Sequence, residues 1–218
     1  MLVLFILTLA SMMNPMFSPH TMASSITNEF FPLTPGVMFV YTGKEDGKQA
    51  REEIQVLSKS TVINGVKVIT VRDVVYLDGQ LRERADDWYA QDASGNVWYL
   101  GEDTKEFENG RVVSTAGSWK AGENGATAGI MMPARPRIGT SYHQEYAPKI
   151  AQDEAQVTAL NALVTVPYKR FSVTVCTRES SPLEAGSLEH KCYAKGVGLI
   201  RSSSDDASTD LQLQAIKK

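Results

Sequence analysis

The sequence predicts an all-β domain, an antiparallel barrel or half-barrel that carries one long Gly/Pro-rich loop. Three observations predict it. Turn signals at Asn64-Gly65, Asp78-Gly79, Ser94-Gly95 and Asn109-Gly110 recur every 14 to 16 residues, the rhythm of strands joined by tight hairpins. Between the turns apolar and polar side chains alternate, and no segment from 37 to 120 sustains the 3.6-residue period of a helix. Strands joined this way are sequential and antiparallel, and their edges call for closure or a covering segment. Regular spacing of about eleven strands fits a barrel, a half-barrel or a sandwich.

The 218 residues begin with an apolar run, Leu2 to Ala10, and the first charged residue is Glu29. The run is too short to span a bilayer, which takes roughly 20 residues. It reads as a secretory signal peptide over residues 1–23, cleaved after Thr21-Met22-Ala23, although the basic start of such a peptide is missing. Residues 24–218 then form a single β domain, secreted or periplasmic, with no transmembrane span in the mature chain. No cysteine follows the run closely, so lipid anchoring is not expected. The 22 basic and 25 acidic side chains leave a net charge of −3, and no basic cluster offers a nucleic-acid footprint.

Phe31-Pro32-Leu33-Thr34-Pro35-Gly36 leads into a first strand at Val37 to Tyr41. Gly43 to Gly47 is turn-like, Ile54 to Leu57 is a second strand, and Val62 to Val68 is a hairpin through Asn64-Gly65. Strand Leu81 to Gln91 places Arg82, Arg84, Asp86 and Trp88 on one face and Glu83, Ala85, Asp87 and Tyr89 on the other. Charges on both faces mean that one of them meets water or a polar cavity. The arm Val97 to Glu102 completes an aromatic hairpin. From Gly117 to Gly139 glycines and prolines break the pattern, yet Trp119, Ile130, Met131 and Met132 are apolar, so the loop packs back on the body. Thr140 to Tyr146 resumes a strand, Ile150 to Ala159 suits either a short helix or a strand, and further strands run to Ile216.

Cys176 and Cys192 lie on strands flanking a loop whose centre is position 184. Antiparallel pairing sets them nearly opposite, within reach of a disulfide, and an oxidising compartment would keep it.

Strong catalytic signatures are absent: there is no G-x-x-x-x-G-K-[ST], G-x-S-x-G, C-x-x-C or H-E-x-x-H. What remains is a constellation of His143, Glu145, Asp87 and Glu102. His143 and Glu145 stand two apart on one expected strand, hence on one face. A neutral imidazole beside carboxylates suits a divalent metal or general acid/base work; equally, these charges can pair with Arg82, Arg84, Arg135 or Arg137. Trp88, Tyr89, Trp98, Tyr99, Trp119 and Tyr142 can wall a flat ligand or serve as cross-strand pairs.

Asp87-Trp88-Tyr89-Ala90-Gln91-Asp92, Gly95-Asn96-Val97-Trp98-Tyr99 and Gly101-Glu102 resemble a widespread family of secreted bacterial proteins of unknown function. The resemblance extends through Phe31 to Gly36, Gly117-Ser118-Trp119, Met132-Pro133-Ala134, Gln144-Glu145-Tyr146, Val166-Pro167-Tyr168 and Glu189-His190-Lys191. His143 stands where that family has arginine and Cys192 where it has an aromatic residue. Tyr193-Ala194-Lys195-Gly196-Val197-Gly198-Leu199 is also similar to the last hairpins of periplasmic lipoprotein-carrier half-barrels. A lipocalin-like or lipoprotein-carrier-like barrel is the fold these likenesses imply.

The reading that follows is a barrel-like domain binding an apolar or amphipathic, lipid-like small ligand. One alternative is a hydrolase or lyase built on the His/carboxylate set, with or without a metal. A second is an envelope module that binds other proteins.

Overall fold

The structure, a computed structural model, describes residues 17, 18, 22, 23, 25–184 and 186–218. The apolar run Leu2 to Ala10 and Ser24, the expected mature start, lie outside the described residues. Among the described residues every regular element is a strand. In chain order they begin with β1 (Met22–Ala23), β2 (Met38–Glu45), β3 (Lys48–Ile63), β4 (Val66–Leu77), β5 (Gln80–Asp92) and β6 (Val97–Glu108). There follow β7 (Arg111–Ser114), β8 (Trp119–Lys120), β9 (Thr127–Met132), β10 (Ser141–His143) and β11 (Glu145–Tyr146). The chain ends with β12 (Glu154–Leu160), β13 (Val164–Thr165), β14 (Arg170–Phe171), β15 (Thr174–Ser180), β16 (Glu189–Ala194), β17 (Gly198–Ser204) and β18 (Asp210–Lys217).

The main sheet runs β10-β12-β15-β16-β17-β18-β2-β3-β4-β5-β6-β9-β11, antiparallel throughout. Its two edge strands, β10 and β11, are separated in sequence by Gln144 alone. The sheet therefore curls into a nearly closed antiparallel barrel with one seam, and the chain itself crosses that seam. At three hairpins the turn chemistry is what the sequence promised. Asn64-Gly65, Asp78-Gly79 and Asn109-Gly110 all have positive φ at both residues, the geometry that matches strand twist.

Three readings change, and one left open between helix and strand is resolved as strand. Ile54–Leu57 and Val62–Ile63 belong to one strand, β3, whose register shifts between Val56 and Ser60, so a bulge stands where a break was expected. Gly43 lies within β2 rather than in a turn. Residues 154 to 160 are strand, not helix. The Gly117 to Gly139 segment holds β8 and β9, both paired with β6. Gly129 does not break β9: a Cβ there would lie 2.3 Å from the Gln144 carbonyl oxygen, so glycine lets β9 press against the seam.

Residues 26–37 close one end. Ile26 bridges Leu33, and the Gln91 side-chain oxygen accepts from the backbone N–H groups of Thr27 and Asn28, each at 2.8 Å. Asn28 donates through Nδ2 to the Gly95 and Pro133 carbonyls. Phe31 is thereby held over Tyr89, ring centroids 5.2 Å apart, and beside Tyr193. The aromatic hairpin thus anchors the plug.

Cys176 pairs directly with Cys192 across β15 and β16, and the two are joined in a disulfide. Closing 16 residues of chain contributes about 3 kcal/mol in the chain-entropy account. Urea unfolding with and without reductant should show a loss of about that size; identical midpoints would exclude it.

Candidate functional site

Strand pairing decides what the interior contains. β2 starts at the plugged end and reaches its turn at Asp46, so the connections at 46–47, at 186–188 and at 205–208 gather at the opposite end. Between lies a cavity of about 600 Å³, bounded by Phe31, Leu33 and Phe39 and, at its rim, by Glu45, Asp46, Glu184 and Asp206. Its wall carries a bank of carboxylates. Ile54 faces Asp73 across β3 and β4, and Val71 faces Asp87 across β4 and β5. Glu52, Asp73 and Asp87 therefore step diagonally across three strands on the inward face. Glu83, opposite Val75, joins them.

Burial is the main force on this bank. It pushes Asp73 well above the ordinary carboxylate range, and the charge of Glu52 adds to the effect. Asp87 is likewise raised by burial and by Glu102, against a lowering hydrogen bond from Tyr99. Glu52 and Glu83 are raised by burial, and at the rim Glu45 is pushed up to about 7. Lys191 is different. Burial pulls its ammonium down, but Glu179 and Glu189 outweigh that and hold it well above the usual lysine value; they lie 2.8 and 3.1 Å away.

Beside the bank, the aromatic hairpin continues it onto β6. Asp87 pairs with Glu102 and Tyr89 with Tyr99, with a bulge between. The bulge sits at Gly101, whose φ is +130° and where a Cβ would lie 2.2 Å from the Trp119 carbonyl oxygen. It lets Glu102 and Tyr99, three residues apart, face the same side. Tyr99 donates its hydroxyl to Asp87 at 2.8 Å, stacks on Tyr89 at 4.9 Å and meets Trp119 edge-on. Trp119 donates Nε1 to Glu145 at 2.9 Å. Burial, then Asp153 and Glu102, push Glu145 up to about 9, while burial brings Glu102 to about 7.

The structure thus gathers Asp87, Glu102 and Glu145 around Tyr99 and Trp119. His143 stands elsewhere. β10 ends at His143 and pairs with β12, whereas β11 begins at Glu145 and pairs with β9; the bend at Gln144 replaces the single strand expected to carry both. His143 Nδ1 lies 3.3 Å from Glu154, without hydrogen-bond alignment, and its ring meets that of Tyr146. Of the six aromatic candidates, Tyr89 lines the main cavity. Trp88 lies under the Lys120 ammonium, Trp98 donates to Asp92, and Tyr142 is buried with its hydroxyl unpartnered among the described residues. Among the described residues no three His, Cys, Asp or Glu side chains are arranged to hold a metal.

Sequence reading missed Glu52, Asp73, Lys191, Tyr41 and Tyr193. Asp73 left a signal: it shares the parity of Val71 and Val75, so an acid occupies a core-facing position. Lys191 likewise shares the parity of Tyr193.

No family model and no curated protein matches the sequence. Among solved structures the chain is similar to one described as a "putative lipoprotein" from Parabacteroides distasonis, at 13% identity and a TM-score of 0.44. The match covers 87% of this chain and 99% of that one, and at such a score it carries no argument about function. Among the described residues no helix is long and apolar enough to cross a membrane.

The raised carboxylates make stability depend on pH. Glu145 binds its proton up to about 9 when folded, against the ordinary 4.5 of a glutamate side chain. The native state therefore holds more protons between those values, and stability falls as pH rises through them. Thermal unfolding should occur at a lower temperature at pH 9 than at pH 5. Glu145→Gln, which keeps an acceptor for Trp119, should flatten that dependence. An equal slope in the variant would show that Glu145 does not titrate in this range.

Proposed function

We propose that the barrel is a secreted or periplasmic binding domain that holds an apolar or amphipathic small ligand in its interior, after removal of residues 1–23. The observation that carries this reading is the cavity. Its volume of about 600 Å³ falls within the roughly 300–1,000 Å³ typical of small-molecule sites, and it combines apolar surface with a bank of carboxylates and an acidic rim. Phe31, Leu33, Phe39, Ile54 and Leu199 supply the apolar surface. The disulfide supports export, because such bonds persist in oxidising compartments.

The resemblance of the aromatic hairpin to secreted bacterial proteins agrees with export and adds no activity. The hydrolytic alternative has less support. Glu145 and Glu102 are not part of the cavity lining, and His143 sits against Glu154 across β10 and β12.

The uncharged fluorophore N-phenyl-1-naphthylamine tests the reading. Titration into the purified protein should give a saturable, one-site rise in fluorescence. Ile54→Trp should abolish it by filling the cavity, with a melting temperature within a few degrees of the parent. No saturable signal, or one unmoved by the substitution, would overturn the cavity as the site.

A further inference from the structure

The charges inside the barrel are far from balanced. Among the described residues ten carboxylic side chains line the cavity, against a single cation, Lys191. That lysine is already held by Glu179 and Glu189. Asp205 is engaged by His190 and Asp206 by Ser204 and Ser208. For Glu52, Asp73, Glu83 and Asp87 no cation stands within ion-pair distance among the described residues. Burying such groups is costly unless they are neutralised or paired.

A second observation is independent of this imbalance. Oδ1 of Asp73 is sealed from solvent with no N–H donor in reach among the described residues, and the hydrogen bond that the Asp73 carboxyl makes is to another acid, Glu52. Asp73 itself is part of the cavity wall. An acceptor in that position calls for a donor brought by something else.

We propose that the cavity selects a cationic amphiphile, a small molecule with a primary ammonium or guanidinium head on an apolar body. This rests on the binding function proposed above and specifies its ligand class. The head sits against Glu52, Asp73 and Asp87, where charge-assisted hydrogen bonds form in a shielded setting. Tyr41, Tyr89 and Tyr193 add aromatic lining to the same space. The apolar body packs on Phe31, Leu33, Phe39 and Leu199. The acidic rim draws cations toward the mouth and repels anions. Without ligand, raised proton affinity neutralises the bank; the head takes over as counter-charge.

Three ten-carbon probes that differ in head group test the choice, each competing with N-phenyl-1-naphthylamine at pH 7. Decylamine, protonated at this pH, should displace the fluorophore at a concentration about tenfold or more below that of 1-decanol, as one buried charge-assisted contact allows. Decanoate should be weakest. The double variant Asp73→Asn, Asp87→Asn should still bind the fluorophore yet lose the preference for decylamine. Equal displacement by the three probes, or a preference that survives in the variant, overturns the inference while leaving a binding barrel intact. If the parent protein binds neither the fluorophore nor decylamine, both readings fall together.

Discussion

Closure of the sheet across Gln144 is the constraint on which the interior depends. An open antiparallel sheet would leave one face to water, and the acids of β3, β4 and β5 would be ordinary surface charges. Once β10 and β11 become the two sides of one seam, every inward side chain shares an enclosed space with those from across the barrel. Parity along each strand then has chemical consequences. Glu83 and Asp87 go in, while Asp86 goes out to a bidentate pair with Arg72. The seam is tight because Gly129 lets β9 approach the Gln144 carbonyl, so a side chain at 129 would disturb closure itself.

Enclosure sets stability against the character of the interior. Buried acids without counter-ions take up protons rather than stay charged, which is why Asp73 and Asp87 are raised while Glu189, beside Lys191, is lowered. One wall is thus a settled ion cluster and the other an acidic bank without a counter-cation. A barrel evolved for stability alone would fill that wall with Val and Ile, as β4 does at Val71 and Val75. Polar groups retained against that gradient are where function is to be sought.

Much of the fold was legible because turn chemistry is local. Asn64-Gly65, Asp78-Gly79 and Asn109-Gly110 need only their own backbone to specify a hairpin. The disulfide was legible because pairing register follows from the loop midpoint. The site was legible in part: parity along β5 separated Asp87 and Tyr89 from Trp88 correctly. What failed was any step that joined strands distant in sequence. Nothing near Glu52 says that Asp73 will lie beside it, nor that Lys191 will face them from the far wall. The expectation for His143 and Glu145 failed for a smaller reason, since a single bend at Gln144 assigns them to opposite edges.

The aromatic hairpin, so prominent in the sequence, owes its composition to position more than to ligand contact. It touches three structures at once. Gln91 and Gly95 fasten the plug at residues 27 and 28, Asp92 collects donors from Ser94, Asn96 and Trp98 to shape the turn, and Tyr99 braces Asp87 from the neighbouring strand. Large flat side chains suit such a role, because they span the distance between layers with few rotatable bonds. Tyr89 is the member that reaches the cavity, with Phe31 against its ring. The plug, the turn and the acidic wall are therefore mechanically one unit, and a change at Gln91 or Asp92 should reach the cavity through Phe31 and Tyr89.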